Sequence, residues 1–161
     1  MSTYIFYSIK QNNHLLNTRK WHSNIEIDFA NTGKKSPFAE QKNLKKIEIN
    51  GDFKYFNDKT YFQDVSINIY NNSDTIIYSA LFSISGTWSY LQGYLFFQTK
   101  KIDTVDIDND DSITDKVKVF LRDLAIKRLQ DTKYIEPIDQ QTLLMISVDN
   151  STSIWTAVKD I

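Results

Sequence analysis

The chain has no cysteine, and its 161 residues include only two histidines, two prolines and four glycines. Without cysteine there can be no thiol catalysis, no disulfide framework and no cysteine-based zinc site. Two histidines, His14 and His22, are too few for a multi-histidine metal site. The glycines form neither a phosphate-binding loop nor a dinucleotide-binding motif. We therefore expect no cofactor and no metal.

An excess of charge of one sign and a long hydrophobic run are also absent. The formal net charge is -1, whereas binding to nucleic acid requires concentrated lysine and arginine. The apolar run from Tyr4 to Tyr7 is far shorter than the roughly 20 residues that a spanning helix needs. There is no Gly-x-Ser-x-Gly elbow. These absences argue against a nucleic-acid-binding protein and against an enzyme.

What the chain does have is a period of two in its apolar residues between Ile47 and Phe97. Such a period is typical of a strand with one buried face, and successive strands of this kind form a meander. We predict a mainly β (α+β) fold, namely a lipocalin-like antiparallel β-barrel or curved meander of about seven or eight strands with one α-helix. The residues expected to face the interior are Ile25, Phe53, Val65, Tyr78, Phe82 and Ile146.

Glycines and turn residues divide this meander. Asn50-Gly51 could form a hairpin, but the alternation continues in phase across it, which favours one long strand with a glycine bend. Turns are predicted at residues 57–59, 71–74 and 149–151, and a bulge or corner at residues 86–88. The segment Thr75 to Ser85 is apolar on both faces, so it should be central or covered.

The period changes to that of a helix from Ile113 onward. We interpret the preceding acidic segment, Asp103 to Asp111, as a solvated loop and helix cap. A calcium loop is disfavoured because its sixth and twelfth positions would be Asp111 and Val117 instead of Gly and Glu. Three apolar residues fall off the helical stripe and could contact another chain, although they could also be ordinary exposed residues: Val119, Ile126 and Leu129.

The strands carry many aromatic residues, and tyrosine hydroxyls inside a core need hydrogen-bond partners. Inward-facing tyrosines therefore indicate a wet cavity or an interface, with plain core packing as the alternative. We predict that a barrel interior accepts a small amphipathic, steroid-like molecule. Its ligand-binding residues would be Phe53, Tyr55, Tyr61, Tyr78, Phe82 and Phe96.

Four segments, in this order, resemble the ToxS-like family, including its VtrC-type members: residues 19–23, 49–61 (INGDFKYFNDKTY), 83–97 (SISGTWSYLQGYLFF) and 138–155 (IDQQTLLMISVDNSTSIW). The resemblance implies a protein at the periplasmic face of the inner membrane of a Gram-negative bacterium. It implies that residues 1–18 are an N-terminal stub, a remnant after a membrane anchor, and that residues 19–161 are a single periplasmic β-barrel-like domain.

The resemblance also implies a function and a partner. The family pairs with a ToxR-like transmembrane transcription factor, and in the VtrC type the pair forms a barrel that binds bile salts. We therefore expect a regulatory subunit in a heterodimer whose partner adds a strand to an unprotected sheet edge; Thr75 to Ser85, with few charges, is one candidate edge. The alternative is a stand-alone lipocalin-like carrier of a small hydrophobic molecule.

Overall fold

The structure is a computed structural model that describes residues 14–28, 44–109 and 115–158. Its antiparallel strands close into a barrel in the order of the sequence, and the last strand pairs with the first. The strands are β1 (Lys20–Asp28), β2 (Leu44–Tyr55), β3 (Thr60–Asn71), β4 (Ile76–Leu91), β5 (Tyr94–Asn109), β6 (Lys133–Pro137), β7 (Thr142–Ser147) and β8 (Thr152–Val158). The helix α1 (Asp115–Gln130) lies between β5 and β6 in the chain. The predicted fold class is confirmed.

Two glycines explain how the long strands curve around the core. Gly51 lies inside β2 and pairs with Ser23 and Val65, so the predicted single strand is confirmed. A Cβ at Gly51 would lie 2.5 Å from Cζ of Phe53, so the absence of a side chain leaves room for that ring. The predicted irregularity near residue 86 is also present, because the register between β4 and β5 shifts between Ser85 and Gly86.

The side chains of β2, β3 and β4 alternate between core and surface over most of their length, as the period of two predicts. Phe53, Val65, Tyr78 and Phe82 are buried as predicted. Ile25 is half-buried and packs against the core. The core also includes Leu16, whose carbonyl accepts a hydrogen bond from Nε1 of Trp21 at 3.4 Å; it therefore extends into residues assigned above to the stub.

The prediction that Ile146 faces the interior is wrong. Its neighbours Met145 and Ser147 are buried, and Ile146 itself lies on the outer face of β7 opposite Tyr134. The run Leu143 to Ile146 is apolar at every position. The sequence therefore does not indicate which residues of this strand face the core and which face outward.

The loop predicted for the acidic segment is also wrong in its described part. β5 continues through it to Asn109 and stays paired with β4 from Tyr94 to the end of the strand. Aspartate is depleted in strands, but this weak local preference is outweighed by the pairing with a long neighbour. The predicted caps Asp110, Asp111 and Ser112 lie outside the described residues.

The barrel closes unevenly. β8 pairs with only the first half of β1, from Lys20 to Ser23, and β6 pairs with only Tyr94 and Leu95 of β5. Within the described residues, the second edge of β5 is therefore without a paired strand from Phe96 to Asn109, and that of β1 from Asn24 to Ile27. β4 pairs on both sides, so the prediction that Thr75 to Ser85 lies centrally is confirmed, and the alternative interpretation of this segment as an edge is wrong. We call the part of the barrel that β6–β8 complete the closed end, and the part where β1 and β5 have these free edges the open end.

Candidate functional site

Aromatic rings fill the interior of the closed end. The Phe53 ring stacks on Trp155 with 4.2 Å between centroids, and Tyr55 lies 6.2 Å from the same indole. Tyr55 also meets the edge of Trp88 at 5.5 Å. Offset and edge-to-face contacts of this kind stabilise a core beyond the area that they bury. Three of the predicted ligand-binding residues, Phe53, Tyr55 and Tyr61, are thus brought together here.

Polar atoms are buried among these rings. Oη of Tyr61 shares a hydrogen bond of 3.0 Å with Oγ1 of Thr99. Oη of Tyr55, both side-chain amide atoms of Gln63 and Nε1 of Trp88 are buried, and none forms a hydrogen bond of standard geometry within the described residues. The Gln63 amide is close enough to the Tyr55 hydroxyl to oppose, in part, the effect of burial on its pKa. Burial raises the pKa of Tyr55 well above its usual value, so this phenol stays neutral and can donate a hydrogen bond at neutral pH. Such groups can bind the hydroxyl or carbonyl of a guest molecule.

The other two inward-facing predicted residues, Tyr78 and Phe82, lie on β4 toward the open end. Tyr78 pairs with Ile69 and Phe82 with Val65 on β3, and all four side chains are buried. Beside Tyr78, a cleft of about 370 Å³ separates β4 and β5 from α1. A cleft of this size is at the lower end of the range for small-molecule sites. It is lined by Tyr78, Thr104, Asp115, Lys118, Val119 and Arg122.

Phe96 does not belong to the interior, and its prediction as part of an inner apolar wall is wrong. Its side chain is 39% exposed on the outer face of β5, 6.5 Å from the ring of Tyr94. Leu95, next to it, is buried. Because Tyr94 to Phe97 are all apolar or aromatic, the pattern predicted a strand without indicating which residues face inward.

The predicted partner-contacting residues lie on α1. Val119 is 57% exposed and Ile126 is half-buried. The side chain of Leu129 lies outside the described part of the chain. Val105 and Ile107 add two exposed apolar side chains on β5, next to its free edge. Exposed apolar residues beside unpaired backbone are features of a surface that can accept another strand.

Several residues of the aromatic interior and of the cleft beside α1 were not predicted from the sequence. Gln63 alternates in phase with Tyr61 and Val65, so its inward position could have been inferred from the period of two. Trp155 could have been found in the same way within β8. Lys118 and Arg122 carried no signal, because two cations four residues apart on a helix are ordinary surface features.

The described residues contain neither a metal-binding cluster nor a membrane-spanning helix. No group of three or more histidine, aspartate or glutamate side chains there is arranged to hold a metal ion. No helix in this part of the chain is long and apolar enough to cross a membrane.

Comparison with known proteins gives one family. The chain is similar, over residues 4–156, to the family described as "Trans-membrane regulatory protein ToxS". This range is nearly the whole chain, and the description is that of a regulatory protein. A comparison with curated proteins gives no match.

Proposed function

We propose, because this chain belongs to the ToxS family of trans-membrane regulatory proteins, that it pairs with a ToxR-like transmembrane transcription factor at the periplasmic face of the inner membrane. In this role it stabilises the partner's periplasmic sensor domain and helps to transmit the state of that domain across the membrane. The observation that carries the proposal is the free edge of β5, which extends from Phe96 to Asn109 in the described residues.

This edge has the properties of a docking site for a strand. It is long, and no strand among the described residues pairs with it on that side, so its backbone groups there can pair with a strand of another chain. Two exposed charges of this edge, Lys101 and Asp103, form an ion pair with each other. The exposed Val105 and Ile107 would pack against the side chains of an added strand.

Helix α1 extends the same surface. Val119 is exposed and Ile126 is half-buried on this helix, which contacts β5, and we include Leu129 in the proposed interface. A heterodimer that uses both the β5 edge and α1 should bury at least about 1,600 Å² in total, as stable interfaces do.

The ligand is the second part of the proposal. We infer that the interior, in the assembled pair, accepts a bile salt or a similar amphipathic molecule. The buried hydroxyl of Tyr55 and the amide of Gln63 support this, because both can hydrogen-bond to polar groups of a guest. The proposed ligand-binding residues are Phe53, Tyr55, Tyr61, Tyr78 and Phe82. Calorimetric titration of the pair with a bile salt below its micelle concentration should give saturable heat.

A second candidate function is favoured by the closure of the barrel through β1 and β8, which needs no partner strand. A stand-alone carrier of a small hydrophobic molecule would be a monomer that binds its ligand without any second protein. The regulatory-subunit proposal instead requires binding to the cognate sensor domain.

A charge-insertion experiment tests the partner proposal. The double variant Val105→Lys/Ile107→Lys places two cations beside the free edge, and Phe62→Lys/Ile154→Lys places two on the outer faces of β3 and β8, which each pair with a strand on both sides. All four side chains are exposed in the wild type, so both variants should fold.

The measured quantity is the dissociation constant with the partner's periplasmic domain. We expect a loss of at least about tenfold for the edge variant, equivalent to about 1.4 kcal/mol, and no loss for the control. Ile126→Asp should also weaken pairing without unfolding the domain. A stable monomer that fails to bind the sensor domain at micromolar concentration would favour the carrier.

A further inference from the structure

The cleft between α1 and strands β4 and β5 differs in chemistry from the aromatic interior. Two of its lining residues, Lys118 and Arg122, are cations on successive turns of α1, and Asp115 is the one acidic residue among those that line it. Tyr78 and Thr104, two residues with hydroxyl groups, line the cleft from the sheet side. The lining therefore combines an excess of positive charge with neutral hydrogen-bond donors.

Lys118 is the most enclosed of these charges. Its side chain is only 16% exposed, and within the described residues its ion pair joins Nζ to Oδ1 of Asp115 at 3.6 Å. This distance is too long for a strong hydrogen bond, and the Asp115 side chain is fully exposed, at 100%. A cation that is shielded from water and loosely paired is well placed to attract an anionic ligand.

A second observation comes from the sheet. Oγ1 of Thr104 is buried and has no hydrogen-bond partner among the residues that the structure describes. Buried hydroxyls are normally paired, so this atom is a free donor at the wall of the cleft.

The position of the cleft connects it to the barrel interior. Thr104 pairs directly with Phe82, and Tyr78 lies four residues earlier on the same strand as Phe82. Phe82 and Tyr78 are both buried. A molecule with an apolar body and a charged end could therefore place the body against these side chains and the charge between the cations of α1.

We propose that this cleft binds the anionic group, a carboxylate or sulfonate, of an amphipathic ligand, with Lys118 and Arg122 as its counter-charges and Thr104 as a hydrogen-bond donor. This inference rests on the proposed ligand-binding function and assigns to it the part of the site that selects for charge. Because α1 is also part of the proposed partner surface, ligand charge and partner contact would act on the same helix.

The test compares two double variants with equal changes in charge. Lys118→Ala/Arg122→Ala removes both cations of the cleft. Lys116→Ala/Lys127→Ala removes two exposed cations of the same helix that do not line the cleft. Each protein, assembled with the partner's sensor domain, is titrated by calorimetry with three probes: a bile-acid carboxylate, its uncharged alcohol analogue with the same steroid body, and a straight-chain fatty carboxylate.

We expect the cleft variant to bind the bile-acid carboxylate about tenfold more weakly than the wild type, as the loss of charge-assisted hydrogen bonds implies. The uncharged analogue should bind the cleft variant and the wild type equally, and the control variant should match the wild type with every probe. A similar loss for the fatty carboxylate would show that the cleft recognises the anion irrespective of the apolar body.

Two results would overturn the inference, and they are distinguishable from failure of the proposed function. Equal weakening by both double variants would reduce the effect to general electrostatics, and no weakening by the cleft variant would place the anionic group elsewhere. In both cases the ligand-binding proposal would stand. If the wild-type pair binds neither the charged nor the uncharged steroid, ligand binding itself is refuted, and the cleft assignment with it.

Discussion

The closed and open ends of this barrel consist of strands with the same alternating pattern, but they differ in how the strand edges are paired. At the closed end, β1 and β8 pair, and the stacked rings of Phe53 and Trp155 occupy the space between the strands. At the open end, the second edges of β1 and β5 have no paired strand in the described residues, and a helix with a cationic cleft lies beside them. In our proposal the closed end supplies the packed core and part of the ligand site, and the open end supplies the surface for the partner.

The largest expected effect is the difference in stability between removing a ring from the packed interior and removing one from the outer surface. Phe53→Ala should lower the free energy of unfolding by about 3–5 kcal/mol, because Phe53 is fully buried in a stack that cannot collapse around a missing ring. The matched control Phe96→Ala removes a ring of the same size from the outer face and should cost below about 1 kcal/mol. Urea denaturation measures both. Equal losses would contradict the placement of Phe53 in the packed interior and of Phe96 on the outer face.

A smaller effect concerns how the free half of β1 is held to the sheet. Glu26 and Glu48 lie directly opposite each other on β1 and β2. Nζ of Lys46 bridges them, at 3.1 Å from Oε2 of Glu26 and 2.6 Å from Oε1 of Glu48. Oη of Tyr70 donates a further hydrogen bond of 2.8 Å to Glu48. This network offsets the repulsion between the two carboxylates in a part of β1 that pairs, among the described residues, only with β2.

The pH dependence of this network has a defined sign. Hydrogen bonds from Lys46, and then from Tyr70, lower the pKa of Glu48 below its ordinary 4.5. A carboxyl group whose pKa is lower in the folded state contributes stability above pH 4.5, and this contribution is lost as the pH falls through the folded-state pKa. Glu48→Gln should therefore destabilise the protein at pH 7, by less than about 1 kcal/mol for a partly exposed pair.

Thermal unfolding at a series of pH values measures this difference. The gap between Glu48→Gln and the wild type should narrow steadily below pH 4.5. Glu136→Gln, at an exposed position of β6, is the control and should follow the wild type throughout. A gap that widens with acidification would contradict the network.

Most of the fold was predictable because the apolar residues of β2, β3 and β4 alternate cleanly. The period of two located the strands and the turns between them. Of the six residues that it predicted to face the interior, four are buried, among them Phe53 and Tyr78. It failed where both faces are apolar, since Phe96 and Ile146 belong to runs without polar residues that could mark the outer face. It also failed in β5, where acidic residues concealed a strand that exists because β4 pairs with it.

The candidate sites were less predictable, because they depend on which edges remain free and on what lies across a gap. Strand order follows from the sequence, but the short pairings that leave β5 and β1 unprotected depend on the lengths of β6 and β8 in three dimensions. Similarly, Lys118 becomes significant only because α1 places it opposite Thr104.

Backbone hydrogen exchange, measured on this chain alone and then with the partner's periplasmic domain, tests the central claim most directly. The account predicts that the amides of β5 from Phe96 onward which do not bond to β4 become protected when the partner binds, while the amides of β6, β7 and β8 keep their exchange rates. Protection confined to β6–β8, or none in β5 under conditions where the complex forms, would contradict the assignment of the partner to the open end.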